Sequence, residues 1–92
     1  LPTHQLKIDR AFVMGLGETP ESLEIVRTIV ALARALNLEV IAEGVETPRQ
    51  ARILLGEGVH IAQGYLFSRP VSAQMCLQMW HTGIAMPQVL TR

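Results

Sequence analysis

The chain is poor in several residue types, and each shortage excludes something. It has a single cysteine, Cys76, so no disulfide framework holds it together and no zinc cluster of cysteines can form. That fits a reducing compartment. Aromatic residues make up only 4% of the sequence, too few for a ladder of base-stacking side chains. Eight basic residues balance eight acidic ones, so no net positive field argues for nucleic acid or an anionic membrane. The longest apolar stretch, residues 25–42, is interrupted by Arg27, Arg34, Asn37 and Glu39 and is unfit to cross a bilayer. No signal peptide, Gly-rich phosphate loop or Ser/His/Asp arrangement is evident. His4, His60 and His81 are scattered without ligand spacing and read as structural or surface residues. Cys76 reads as a small core residue.

Apolar residues make up 49% of the 92, a globular composition. Leu6-Lys7-Ile8-Asp9 alternates apolar and charged, as a strand with Lys7 and Asp9 on one face and Leu6 and Ile8 on the other. Thr19-Pro20-Glu21 is a helix start, and Leu23, Val26, Val30, Ala33 and Leu36 follow at helical spacing. Asn37 is a left-handed terminator. Leu38 to Ala42 reads as a second strand. Thr47-Pro48-Arg49-Gln50 starts another helix with a capping box. Gly56 and Gly58 end it, and Val59 to Ala62 is a short third strand. Ser72 caps a last helix through Met75, Leu77, Met79 and Trp80, closed by Gly83. The aperiodic residues 84–92 form a loosely held tail.

Strand followed by helix, three times over, predicts parallel pairing with right-handed crossovers. In "VIAEGVETP", residues 40–48, an apolar run stops at one carboxylate and a second follows three residues later. Glu43 to Glu46 then occupy the loop after a parallel strand, at the edge where α/β folds bind ligands. Lys7 and Asp9 end the first strand there, and Gln63 ends the third. Acids with amides suit hard cations such as Mg²⁺ or Mn²⁺, and the set points to metal-assisted phosphoester chemistry. Blander readings stand beside it. Glu46 simply favours a helix N-terminus, Lys7 and Asp9 form a solvated pair, and Gln63 satisfies strand-end backbone. Arg69 reads more readily as an ion-pair partner than as a phosphate ligand.

Three stretches, "LPTHQLKIDRAFV", "VIAEGVET" and "AQGYLFSRP", resemble in order and spacing the second half of the EAL domain, the bacterial cyclic-di-GMP phosphodiesterase family. The resemblance runs to about Trp80. It implies the C-terminal three strand-helix units of a TIM-barrel-like fold over residues 1–83, an incomplete barrel, since the whole needs eight strands. It implies hydrolysis of cyclic di-GMP to the linear dinucleotide by a water activated between two divalent metals, Mg²⁺ or Mn²⁺. Lys7 matches the lysine at the attacking water or phosphate, and Asp9 the acid at the same mouth. Glu43 matches the glutamate of the metal-water cluster, Glu46 a neighbour that helps hold the lysine and the loop, and Gln63 the glutamine of a Gln-Gly pair. The Glu-Ala-Leu signature, the asparagine and glutamate metal ligands and the Asp-Asp pair are absent. In the family they lie upstream of residue 1.

The expected catalytic set is therefore Lys7, Glu43 and Glu46, lined by Asp9 and Gln63, with Glu43 reaching metal through water. The expected partners are cyclic di-GMP, the remainder of the EAL domain and a second copy across exposed edges, with no nucleic acid or membrane contact. The expected location is cytoplasmic. The chain does not begin with Met and reads as an excised piece, inactive alone. A parent that hydrolyses the messenger, a degenerate parent that only binds it or acts as a scaffold, and a structural fragment without function of its own all remain open.

Overall fold

The structure, a computed structural model, describes residues 4–64 and 71–82. The elements run β1 (Gln5–Ile8), α1 (Arg10–Met14), α2 (Pro20–Ala35), β2 (Glu39–Val45), α3 (Pro48–Gly56), β3 (Ile61–Gly64), β4 (Val71–Ser72) and α4 (Ala73–Thr82). The sheet order is β1-β2-β3-β4. The first three strands are parallel, as two helical crossovers require, and β4 pairs antiparallel with β3. The sheet is open, not closed into a barrel. The expectations for Arg69 and for the tail at 84–92 lie outside the described residues, as do Gly83 and the surroundings of the Cys76 side chain.

Strand parity fixes the two faces of the sheet. Ile8 pairs with Ala42, and Ala42 with Ala62. All three are fully buried and join Val13, Leu16, Val26, Ala51 and Leu54 in the core beneath the helices. Lys7, Ile41, Glu43 and Gln63 alternate with them and so occupy the opposite face.

Capping follows the sequence closely in most places. Thr47 accepts from the Gln50 N–H at 3.1 Å, and Gln50 Oε1 accepts from the Thr47 N–H at 3.1 Å and the Glu46 N–H at 2.7 Å. Thr47→Ala removes the side-chain half of this box, the bond from the Gln50 N–H, and leaves the backbone donors to Gln50 Oε1 in place. It should cost about 1–2 kcal/mol, read as a lowered denaturation midpoint with an unchanged slope. Asn37 takes φ 56°, and Leu38 N–H donates to Ala33 O at 2.8 Å, closing α2 in a Schellman turn. Ser72 Oγ accepts from Met75 N–H at 3.0 Å and starts α4.

Four expectations are corrected. Thr19 does not cap α2 with its side chain; its hydroxyl bonds the Ser22 hydroxyl at 2.9 Å, because Ser22 is buried and needs a partner. Asp9 is not the last strand residue on the Lys7 face. It leaves the sheet and caps α1, a helix that sequence periodicity did not mark. The third strand begins at Ile61, not Val59. The Val59 N–H donates to Leu54 O at 2.9 Å and its buried side chain folds back on α3, so the residue belongs to the helix terminus. The second strand does not stop at Ala42 but runs to Val45.

Between helices, Arg27 of α2 grips Glu57 with two hydrogen bonds of 3.0 and 3.2 Å. The hydrogen bond to Glu57 and its charge raise the Arg27 pKa further, and Glu24 adds a smaller push. Arg27 thus marks the flank of α2 that faces α3.

Candidate functional site at the carboxyl ends of the parallel strands

The site begins with one extra residue. Glu43 pairs with Gln63 and Val45 with Gly64, so Gly44 is a bulge in β2. Without it, strict alternation would put Val45 on the Glu43 face. With it, Val45 drops into the core, only 2% exposed, while Glu43 stays on the other face. The bulge needs φ +77° at position 44, which glycine adopts at little cost. The glutamate and the valine can therefore both be satisfied only because a glycine separates them.

Glu43 faces Lys7 across β1 and β2, with Nζ to Oε2 at 3.6 Å. The two side chains are 37% and 53% exposed, so the pair is a solvated one, worth at most about 1 kcal/mol. Such a contact does little for stability, but it holds a cation and a carboxylate side by side at the strand ends. Gln63 flanks Glu43 on β3 in direct register, half-buried. Three adjacent strands thus place a cation, an anion and an amide in one row.

Asp9 and Glu46 lie at the same end but are placed differently. Asp9 Oδ1 accepts from the Ala11 N–H at 2.9 Å, so this carboxylate is engaged in starting α1. Glu46 is exposed just before α3, and among the described residues its carboxylate has no ion-pair partner. The partner of Lys7 is Glu43, not Glu46. Sequence reasoning missed the bulge and α1. Asp9 followed by Phe12, Val13 and Leu16 was the available signal for a capped helical turn.

The donor chemistry partly fits a divalent cation. Glu43 and Gln63 offer hard oxygens, yet among the described residues no three His, Cys, Asp or Glu side chains come close enough to hold a metal. Mg²⁺ and Mn²⁺ require about six ligands, so this row contributes donors to a site and does not complete one. A cleft of about 500 Å³ lies away from the row, among Pro20, Leu23, Ile53 and Glu57 between α2 and α3. It carries none of the rim residues, and the strand-end chemistry is the better guide to function.

A polar row at the carboxyl ends of parallel strands, backed by helices, defines the ligand edge of a barrel-type α/β sheet. The sequence matches the EAL domain over residues 1–70. The chain belongs to the EAL domain family. It is 46% identical over 71 residues to the cyclic di-GMP phosphodiesterase NbdA of Pseudomonas aeruginosa, covering 77% of this chain and 9% of NbdA. It resembles the crystal structure of the EAL domain of Mycobacterium smegmatis DcpA at 47% identity and TM-score 0.66, over 90% of this chain and 37% of that one. It is also similar to Klebsiella pneumoniae BlrP1 in a manganese and cyclic-diGMP complex, at 33% identity and TM-score 0.65, over 75% of this chain and 18% of that one. The chain therefore spans a small part of the proteins it matches. Among the described residues, no helix is long and apolar enough to cross a membrane.

Proposed function

We propose that the protein containing this segment hydrolyses cyclic di-GMP to the linear dinucleotide, and that Lys7, Glu43 and Gln63 face the phosphodiester that is cut. The observation that carries the reading is the Lys7–Glu43 pair, set beside Gln63 at the ligand edge of a parallel sheet. The proteins named for this chemistry are its relatives.

Each side chain has a task that follows from its chemistry. The Glu43 carboxylate accepts a proton from the attacking water as the new P–O bond forms. The Lys7 ammonium neutralises charge on a non-bridging phosphate oxygen as the opposite P–O ester bond breaks and the ribose oxygen leaves, taking a proton from solvent water. The Gln63 amide orients water through its oxygen or its N–H. Glu43 and Gln63 are also the groups here that would hold Mg²⁺ or Mn²⁺. Two such ions, when bound, lower the pKa of water and offset charge on the phosphate. Glu46 and Asp9 keep supporting places, Asp9 by fixing α1 beside the rim. The segment alone is inactive in this reading, because its donor set is incomplete. The reading has the domain in the cytoplasm, with this segment bound to the remainder of its own EAL domain.

The test is the intact parent protein incubated with cyclic di-GMP and Mn²⁺ or Mg²⁺, with products separated by chromatography. We expect the linear dinucleotide, and we expect excess chelator to abolish its formation. Full turnover in chelator would remove the metal from the reading. Tight binding of cyclic di-GMP without cleavage would favour a receptor instead.

A further inference from the structure

We infer that Arg10 is a positioning residue for Glu43, acting through its aliphatic stem, which packs over the backbone of Gly44. The inference rests on the phosphodiesterase reading only for its kinetic consequence. The observation is steric. A Cβ built on Gly44 would lie 2.5 Å from Arg10 Cγ, 2.9 Å from Cβ and 3.1 Å from Cδ. The arginine stem therefore fills the space that the missing side chain leaves at the bulge. Its guanidinium has no hydrogen-bond or ion-pair partner among the described residues. Among the described residues, the stem over the Gly44 backbone is the contact that the Arg10 side chain makes.

The location gives that contact a consequence. Arg10 is the first residue of α1, held in place by the Asp9 cap one residue earlier. Lys7 lies three residues upstream on β1, and Glu43 is the immediate neighbour of Gly44. The stem thus ties the exit of β1 to the exit of β2, alongside the sheet hydrogen bonds that end at Ile8 and Ala42. Beyond that register the bulge has no β1 partner; pairing with β3 and the buried Val45 hold it on one side, and the Arg10 stem covers Gly44 on the other. Gly44 serves twice, by adopting positive φ and by leaving room for the stem. A loosened bulge lets the Glu43 carboxylate drift from its place, and small misplacements of a reacting group are costly to rate.

The experiment uses the intact parent protein with Arg10→Ala, which removes the stem, and Arg10→Met, which keeps most of it without the charge. Arg52→Ala, an exposed arginine on α3, is the control. Amide hydrogen exchange at Gly44 and Val45 reads the bulge directly and does not depend on activity. We expect exchange there to rise about tenfold in Arg10→Ala and to stay near wild type in Arg10→Met and Arg52→Ala. If the parent hydrolyses cyclic di-GMP, kcat should fall about tenfold in Arg10→Ala at nearly constant KM and recover in Arg10→Met. Unchanged exchange in Arg10→Ala overturns the inference. So does an Arg10→Met variant as impaired as Arg10→Ala with a raised KM, since that would make the guanidinium a substrate contact. An inactive wild type refutes the phosphodiesterase reading alone, and the exchange result still decides the role of Arg10.

Discussion

Glu43→Gln in the intact parent is expected to lower turnover of cyclic di-GMP by about 10²–10⁴-fold, the usual contribution of a positioned acid or base. Lys7→Ala should lower it by orders of magnitude as well. Neither change should shift the melting temperature by more than a few degrees. The reason lies in the exposure of the pair: two solvated side chains 3.6 Å apart add little to stability. Glutamine keeps the shape of residue 43 and its place in the β2 bulge, and removes only its basicity and charge. Steady-state kinetics and a thermal melt on the same preparations check both halves. A Glu43→Gln protein that retains most of its turnover would remove Glu43 from the proton transfer. A variant that loses both rate and fold would show that the pair is structural after all.

The strength of that expectation depends on how the two residues come together, and this was only half legible in the sequence. Alternation at Leu6-Lys7-Ile8 sets the face of Lys7, and the structure keeps it. The start signals at Thr47-Pro48 and the stop at Asn37 mark where the chain re-enters the sheet, because caps act within one turn of backbone. What lies between them is not marked. A carboxylate and a glycine after an apolar run look like the end of a strand at Ala42. The continuation through Gly44 depends on pairing with β3 and on burying Val45, and neither is a local property. The same holds for Asp9, whose side chain finds a backbone N–H two residues ahead instead of staying in an alternating strand. Val59 reads as the start of the third strand, yet it completes the terminus of α3. β4 has two residues and is defined only by its partner, so no window of sequence would show it.

Non-local effects also decide what the isolated 92-residue chain will do. Self-association through Ile8 and Ile41 is a natural expectation from the sequence, since apolar strand residues cut from a barrel lack a cover. The structure redirects it: Ile8 is 0% and Ile41 2% exposed, so neither is free to form a contact. Among the described residues Met14, Leu32, Leu36 and Met75 are the exposed large apolar side chains, and two of them, Leu32 at 50% and Leu36 at 58%, share one flank of α2. At about 100° per residue, Ile25, Ile29, Leu32 and Leu36 form one stripe, while Val26, Val30 and Ala33 form the core stripe beside it. Arg27, which grips Glu57 of α3, projects on the other side of the core stripe. The Leu32–Leu36 flank therefore faces away from α3, over the outer side of β1. β1 is itself an edge, with β2 as its only partner among the described strands. An unpaired strand edge with an apolar helix flank above it is where an upstream strand and helix would join the sheet. A domain of this size buries only about 60–65% of its unfolded surface even when complete. We expect the isolated chain at micromolar concentration to sediment as dimers or larger species, and Leu32→Glu with Leu36→Glu to shift it toward monomer. In the intact parent the same double substitution should cost several kcal/mol, because two leucines would leave a covered seam, each worth about 2–5 kcal/mol. A sharply melting monomer of the unmodified chain would show that α2 needs no cover and that these units form a complete domain by themselves.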